Sequence, residues 1–359
     1  MKIAFVHEYL NQFGGAERML QVLCAMYPQA PIYTLLYDRE ATGRVFDGKN
    51  IKTSFLQNFP FAQKHHRLFP LMMPLAIEQF DFSEYDIVLS VSASFAKGII
   101  TKSSIKHICY CLTPPRFLWD NSQKFVDEFG YPKIIKKFLP PFMTYLRIWD
   151  KEASLRVDDF WAISRFVGER VEKYYSRESA LIYPPVNTKK FYASERVKDY
   201  FFMAGRLVSY KKFDLAVEVF NQTGLSLKIV GIGPEMNRLK KLAKKNIEFL
   251  GLVSDEKLAS LYTEAQACVF PQEEDFGIVP LESMASGRPV IAYRSGGAEE
   301  TVIENKTGVF FDEQTLESMT GALERFKKIN FKTKDCQEQS KKFDVDIFKN
   351  KISELFKKV

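Results

Sequence analysis

Two basic side chains in the second half of this sequence have the chemistry to bind a diphosphate. Arg206 and Lys211 share one loop, which follows Gly205 and the short apolar run Tyr200–Ala204. A guanidinium presents a planar fork of donors and an ammonium a mobile point charge, so the pair suits two phosphates and can offset charge on a leaving phosphate. From this loop alone, two solvated surface cations are the alternative interpretation.

Two glutamates eight residues apart form a second group. Glu274 falls in a loop, and Glu282 falls in the first turns of the helix predicted after Gly277. Since a carboxylate accepts hydrogen bonds from vicinal hydroxyls, Glu274 suits a sugar ring and Glu282 a ribose. The free N–H groups of the same helix can meet phosphates. Stabilisation of the helix dipole is the alternative role for an acidic residue in a first turn, but it does not explain Glu274 in the loop.

The elements that must position these loops alternate between short apolar runs and longer amphipathic segments, a pattern typical of parallel sheets flanked by helices. We therefore predict an α/β chain with two Rossmann-like βαβ domains facing a cleft, where ligands bind at the carboxyl ends of strands. The first series of predicted strands is Lys2–His7, Ile32–Leu36, Ile87–Val91, His107–Leu112 and Asp159–Ile163. The second series is Tyr200–Ala204, Leu225–Val230, Ile247–Leu250, Ala267–Phe270, Val290–Tyr293 and Gly308–Phe311.

The domain boundary is predicted at two consecutive prolines. Pro184 and Pro185 forbid helix and favour an extended connection. We assign residues 1–185 to an N-terminal Rossmann-like domain and residues 186–339 to a C-terminal one. Residues 340–359 are predicted to form a lysine-rich helix with an apolar stripe, which we expect to pack back on the body, returning to the N-terminal domain.

Composition and charge limit the classes of partner and compartment. Lys plus Arg (51) exceeds Asp plus Glu (44) by +7, which suits phosphate-bearing small molecules or an anionic membrane surface. The basic residues are dispersed, so we expect no nucleic-acid partner. Five scattered cysteines lack the paired spacing of a zinc or redox site. With no signal peptide and no apolar run approaching the roughly 20 residues that span a bilayer, we expect a cytoplasmic protein that contacts membrane only peripherally, at the inner face.

The loop Gly205–Lys211 and the pair Glu274-x7-Glu282 together resemble family 4 of the glycosyltransferases, retaining enzymes with the GT-B fold. The resemblance runs through nearly the whole chain. It implies that Arg206 and Lys211 bind the diphosphate of a nucleotide-sugar donor, that Glu274 holds the donor sugar, and that Glu282 holds the nucleotide ribose. The N-terminal domain would then bind the acceptor and the C-terminal domain the donor.

The resemblance also implies roles for neighbouring positions. A glycine-rich loop after the first strand approaches the donor phosphate, a loop in the C-terminal half lies near the nucleotide base, and the backbone after Glu274 holds the donor sugar. By position these roles fall to Gly14, Gly15, Val253, Phe276, Gly277 and Ile278. Arg206, Lys211 and Glu274 count as catalytic, because electrostatic stabilisation of the departing diphosphate is the main contribution of the protein in this family. We expect no metal and no cofactor, since the two cations replace the metal.

The N-terminal half resembles a narrower group, bacterial mannosyltransferase-like members that assemble surface polysaccharides on lipid carriers. The matching stretches are Phe5–Leu10, Pro74–Gln79, Cys109–Arg116 and Ala162–Val167. This favours transfer of a hexose, mannose above others, from GDP-mannose rather than a UDP-sugar. The acceptor would be a glycan or a polyprenyl-diphosphate-linked saccharide.

One position departs from the family pattern. Leu112 stands where the family carries a histidine near the donor sugar. Either Thr113 compensates, or the donor sugar lacks the hydroxyl that histidine would touch, or the enzyme is weak or inactive. Two alternative functions therefore stay open: a sugar-nucleotide-binding pseudoenzyme, and a GT-B-fold sugar-nucleotide epimerase, whose acid and base residues the sequence does not reveal.

Two N-terminal segments combine cations with aromatic and aliphatic side chains. They are Phe59–Pro74 and Tyr131–Trp149. Such mixtures suit a membrane surface and a lipid-linked acceptor. An ordinary amphipathic face covering the cleft is the alternative interpretation.

Overall fold

A computed structural model describes residues 1–120 and 133–357. The chain divides into two compact units. Unit 1 comprises Met1–Tyr183 together with the segment from Ser353 onward, and unit 2 comprises Pro184–Ile352. Each unit contains one parallel sheet, and helices connect most of its successive strands.

The sheet of unit 1 has the order β3-β2-β1-β4-β5-β6-β7 and is parallel throughout. Its strands are β1 (Ile3–Leu10), β2 (Ile32–Tyr37), β3 (Ile51–Thr53), β4 (Ile87–Ser92), β5 (Lys106–Cys111), β6 (Asp159–Ala162) and β7 (Ser179–Leu181). All five predicted strands are confirmed. The edge strands β3 and β7 were not predicted, because three residues without full burial leave no apolar run to detect.

The helices of unit 1 pack a core against this sheet. They are α1 (Gly15–Met26), α2 (Ala62–His65), α3 (Met73–Glu78), α4 (Arg116–Trp119), α5 (Lys133–Leu155) and α6 (Arg165–Tyr175). Ala4 and Val6, alternate residues of β1, join Leu35, Val88 and Ile77 in one apolar cluster of unit 1. Of the predicted segment Tyr131–Trp149, the first two residues lie outside the described part of the chain.

Unit 2 repeats the design with the order β10-β9-β8-β11-β12-β13, again parallel. Its strands are β8 (Phe201–Ala204), β9 (Leu227–Val230), β10 (Ile247–Gly251), β11 (Cys268–Phe270), β12 (Val290–Tyr293) and β13 (Gly308–Phe311). The six predicted strands are therefore confirmed. Its core gathers Phe201, Phe220, Ile229, Val269 and Phe311 from strands and helix.

The helices of unit 2 complete the alternation. They are α7 (Phe213–Thr223), α8 (Met236–Leu242), α9 (Asp255–Glu264), α10 (Ile278–Ala285), α11 (Ala298–Thr301), α12 (Leu316–Lys328), α13 (Thr333–Lys341) and α14 (Val345–Phe356), of which the residues from Ser353 onward belong to unit 1. The helix predicted from residue 340 begins instead at Val345, because Asp344 bridges to Val186 and interrupts helical pairing. Within unit 1, the Phe356 ring lies 5.3 Å from Tyr27 and 5.6 Å from Trp161.

A buried histidine on β5 makes the stability of unit 1 depend on pH. His107 is fully buried, and its Nε2 lies 2.9 Å from the hydroxyl of Ser90 on β4. Burial lowers the pKa of His107 from 6.5 to about 3, so the imidazole is neutral in the folded state. Between about pH 6.5 and pH 3, the imidazole is protonated in the unfolded chain but not in the folded one. The free energy of unfolding should therefore fall as the pH drops through this range, by about 1.4 kcal/mol per pH unit.

We expect His107→Gln to remove this slope, because an amide does not titrate. All three tryptophans, Trp119, Trp149 and Trp161, lie in unit 1, so urea unfolding followed by their fluorescence between pH 7 and pH 4 measures the effect. Parallel pH dependences of wild type and variant would show that His107 contributes nothing.

Candidate functional site

The strand order of unit 2 explains why two distant loops meet. Strand β8 pairs with β9 on one side and with β11 on the other, so the chain reverses its winding direction between β8 and β11. In open α/β sheets, ligands bind at the carboxyl ends of strands at such a switch point. The residues that follow these two strands are Gly205–Lys212 and Pro271–Gly277, the two segments that the sequence singles out.

An ion pair joins the two loops. Lys211 Nζ lies 2.6 Å from Glu274 Oε1, with side-chain exposures of 14% and 21%. Partial burial strengthens the attraction relative to an exposed pair, since less water screens it. The structure therefore brings together one predicted diphosphate ligand and the predicted sugar ligand. Arg206, on the same loop as Lys211, is exposed.

The loop after β8 is packed backbone to backbone against the loop after β9. Gly205 N donates to Val230 O at 3.0 Å, and Leu207 N donates to Ile232 O at 2.9 Å. Gly231 has a φ of +135°, and a Cβ at that position would lie 1.8 Å from Gly205 O. Only glycine fits, because both the backbone conformation and the close approach exclude a side chain.

Gly231→Ala is accordingly expected to destabilise unit 2 by roughly 3 kcal/mol and to displace the Gly205–Lys211 loop. Gly224→Ala is a matched control, since Gly224 also has positive φ (+69°) but a Cβ added there would meet only open space. We expect it to cost about 1 kcal/mol, from backbone conformation alone. Thermal unfolding of both variants measures the difference, and equal costs would contradict the close approach.

A third loop, after β12, forms backbone hydrogen bonds with Glu274. Gly297 N donates to Glu274 O at 2.9 Å, and Gly296 forms a backbone bridge with Glu274. A Cβ on Gly297 would lie 2.2 Å from Phe276 O, so this contact also requires glycine. Ser295 Oγ donates to Glu273 Oε2 at 2.6 Å. This loop was not predicted from the sequence, although two adjacent glycines shortly after a predicted strand are a usable signal.

Glu282 lies on α10 and is almost completely buried. Its Oε2 accepts a hydrogen bond of 2.9 Å from the hydroxyl of Tyr262 on α9. Gly277, with a φ of +83°, precedes the helix and turns the chain into it. Phe276 is buried, with its ring 5.8 Å from Phe343. The ribose role of Glu282 stays a prediction.

The other predicted donor residues lie in both units. Val253 and Ile278 are half-buried residues of unit 2. Gly14 and Gly15 belong to unit 1, where Gly14 N donates to Glu17 Oε2 at 2.7 Å and Gly15 begins α1. The Glu17 carboxylate thus caps the start of the helix as the glutamate of a capping box does, while Gly14 has no side chain to form the reciprocal bond. The Gly14–Glu17 segment therefore has a structural role there.

Leu112 directly follows β5 and continues its pairing with β4, since its backbone N donates to Ser92 O at 2.7 Å. The neighbouring Thr113 hydroxyl donates to Pro114 O at 3.1 Å and accepts from Arg170. Its proton is therefore directed to the backbone. Compensation by Thr113 for the missing histidine would require this contact to break.

Two further features are absent from the described ranges. Residues 1–120 and 133–357 contain no cluster of three or more His, Cys, Asp or Glu side chains arranged to hold a metal ion. In the same ranges, no helix combines the length and apolar character that crossing a bilayer requires.

Comparison with known proteins finds a family model that matches the C-terminal part of the chain. Residues 187–343 match the family model described as glycosyl transferases group 1. An uncharacterized glycosyltransferase of Methanocaldococcus jannaschii is 27% identical over 172 residues, covering 46% of this chain and 49% of that protein. The GDP-mannose-dependent alpha-(1-6)-phosphatidylinositol monomannoside mannosyltransferase of Mycobacterium tuberculosis is 37% identical over 113 residues, covering 28% and 29%. The chain spans half or less of the length of these curated relatives.

Solved structures show the fold. HepE of Anabaena, in complex with UDP, aligns with a TM-score of 0.74 at 16% identity over 100% of both chains. Sucrose-phosphate synthase of Thermosynechococcus elongatus aligns with a TM-score of 0.72 at 16% identity, covering 99% of this chain and 98% of that one. Residues 187–343 therefore form a glycosyl transferases group 1 domain, within a chain that has the α/β fold of GT-B glycosyltransferases.

Proposed function

We propose that this protein is a retaining glycosyltransferase of family 4 that transfers a hexose from a nucleotide sugar to a glycan or lipid-linked saccharide. The observation that carries the proposal is the Lys211–Glu274 pair, which joins the loops after β8 and β11 at the switch point of unit 2. A cation beside a carboxylate suits a ligand whose phosphate and sugar are adjacent. The group 1 domain over residues 187–343 supports the same assignment.

In this proposal Arg206 and Lys211 stabilise the charge that develops on the departing diphosphate, while Glu274 accepts a hydrogen bond from the sugar. The acceptor hydroxyl attacks the anomeric carbon from the face that the diphosphate leaves, and its proton passes to the leaving phosphate. Configuration at the anomeric carbon is thereby retained. The two cations take the place of a metal ion.

Mannose is the favoured sugar and GDP the favoured nucleotide. The Mycobacterium tuberculosis relative, 37% identical over 113 residues, is named as a GDP-mannose-dependent mannosyltransferase. A relative with the same name from Mycolicibacterium smegmatis is 28% identical over 193 residues. The epimerase and pseudoenzyme alternatives receive no support from these similar proteins.

A thermal-shift panel of GDP- and UDP-sugars tests the proposal. A donor at a hundredfold excess over its Kd should stabilise the fold by about 2.7 kcal/mol, and GDP-mannose should give the largest shift. Arg206→Ala and Glu282→Ala should reduce this shift, whereas Lys241→Ala, which removes an exposed cation of α8, should not. If no nucleotide sugar stabilises the wild type, the proposed function is wrong.

We also propose that unit 1 contacts an anionic membrane, which would present a polyprenyl-diphosphate-linked acceptor to the enzyme. Two predicted segments expose apolar side chains. In the segment Phe59–Pro74, Phe61 is 77% exposed and Leu68 is 57% exposed. On α5, Phe142, Tyr145 and Ile148 are 44%, 53% and 60% exposed and recur every three residues, so they form one stripe. The sequence of both segments also carries lysines and arginines, and exposed apolar side chains in such segments favour an interfacial role.

Co-sedimentation with anionic vesicles measures this contact. We expect the wild type to bind, and the triple variant Phe61→Ser, Leu68→Ser, Phe142→Ser to bind at least about tenfold more weakly, since each apolar residue removed costs interfacial burial. A control triple variant, Val197→Ser, Leu242→Ser, Ile347→Ser, removes three apolar residues of unit 2 that are 47%, 41% and 50% exposed. Equal losses in both triples, or no binding by the wild type, would exclude a specific membrane surface on unit 1.

A further inference from the structure

A buried amide lies directly behind the carboxylate of the candidate site. Gln272 follows β11 by two residues and is 2% exposed. Its Nε2 donates to Glu274 Oε1 at 3.2 Å. Its own Oε1 is buried and accepts no hydrogen bond from the described part of the protein. A buried amide oxygen without a hydrogen bond lowers the stability of the fold, because its desolvation is not compensated. This cost suggests that the contact of the amide nitrogen with Glu274 has a function.

The orientation of the amide follows from its partner. If the amide were reversed, its oxygen would face a carboxylate oxygen at 3.2 Å, and two acceptors would repel each other. Lys211 Nζ donates to the same Glu274 Oε1 at 2.6 Å. Within the described residues, both side-chain donors to Glu274 therefore bind one oxygen, and Oε2 receives none.

We propose that Gln272 is a positioning residue for Glu274. Together with Lys211 it fixes Oε1, so the carboxylate cannot rotate freely and Oε2 is held ready to accept a hydrogen bond from a hydroxyl of the ligand. This inference rests on the proposed function only in taking that ligand to be the sugar of the donor. Gln272 was not predicted from the sequence, because a glutamine after a strand carries no charge pattern.

The chain supplies a matched control for this role. Gln339 on α13 is 6% exposed, and its Oε1 is likewise buried without a partner among the described residues. Its Nε2 donates to a backbone carbonyl, Thr301 O, at 3.0 Å. Substitutions at Gln339 thus reproduce the loss of a buried amide without touching Glu274.

The first test is the pH dependence of donor binding in Gln272→Glu. The new carboxyl beside Glu274 would share a proton with it at low pH and repel it at high pH. We expect affinity for GDP-mannose, measured by calorimetry, to be near wild type at pH 5 and about tenfold weaker at pH 8. A tenfold loss corresponds to a mutual shift of about one pKa unit between the two neighbouring carboxyls of the variant. Gln339→Glu should show the wild-type pH profile. A Gln272→Glu profile that matches wild type would overturn the inference.

The second test needs no ligand. In a double-mutant cycle of Gln272→Leu and Glu274→Ala, we expect the two shifts in melting temperature to be non-additive, because each variant removes the same contact. Gln339→Leu with Glu274→Ala should be additive. Additive shifts for Gln272 and Glu274 would overturn the positioning role even in a protein that binds GDP-mannose. Non-additive shifts in a protein that binds no nucleotide sugar would refute the proposed function alone.

Discussion

Lys211→Ala is expected to lower kcat by about 10²–10³-fold, equivalent to about 2.7–4 kcal/mol of transition-state stabilisation. Two effects add. The departing diphosphate loses one of its two proposed cations, and Glu274, which is 21% exposed, loses its counter-ion. Because the charge on the diphosphate grows as the bond to the sugar breaks, kcat should fall more than KM rises. Initial rates of nucleotide release over a range of GDP-mannose concentrations separate the two parameters.

Lys212→Asn is the matched control for this prediction. Lys212 is the next residue, has a φ of +53° and caps the start of α7. Asparagine tolerates that left-handed conformation, so the variant removes a neighbouring charge without disturbing the turn. We expect its kcat to stay near wild type. Similar losses in both variants would mean that the general positive charge of the loop matters, rather than the Lys211–Glu274 contact.

The charge and spacing of the site could be predicted from the sequence, but its three-dimensional pairing could not. Lys211 and Glu274 are separated by 63 residues and meet because β8 and β11 are neighbours in the sheet. A strand's own apolar run predicts that it joins a sheet, whereas its place in the order depends on how the crossover helices pack. A resemblance to a known fold supplies that order; local patterns do not.

The contacts and strands that the sequence did not predict share one physical cause. Gly297 supports Glu274 through a backbone hydrogen bond, and Gln272 through an amide, and neither residue type signals such a contact locally. Strands β3 and β7 are short edges whose residues are only partly buried. In each case the residue's role is set by a partner distant in sequence or by its exposure, which periodicity does not report.

The same limitation applies to a charged network in the core of unit 1. Lys97 and Asp150 form an ion pair in which both side chains are at most 2% exposed. Lys97 Nζ also donates to Ser94 O at 2.8 Å. Asp150 Oδ2 accepts from Trp119 Nε1 and from the Tyr175 hydroxyl, each at 2.8 Å. In the sequence, Lys97 is indistinguishable from a solvated lysine.

Asp150→Ala should therefore destabilise unit 1 by about 3–5 kcal/mol, because it leaves a buried ammonium without a counter-ion. Asp159→Ala, which breaks the half-exposed pair with Lys106, should cost at most about 1 kcal/mol. Urea unfolding followed by tryptophan fluorescence compares them. The double variant Lys97→Met, Asp150→Leu should recover most of the loss, since removing both charges also removes their desolvation penalty. If it stays as unstable as Asp150→Ala, the hydrogen bonds to Trp119 and Tyr175, rather than the unpaired charge, dominate the cost.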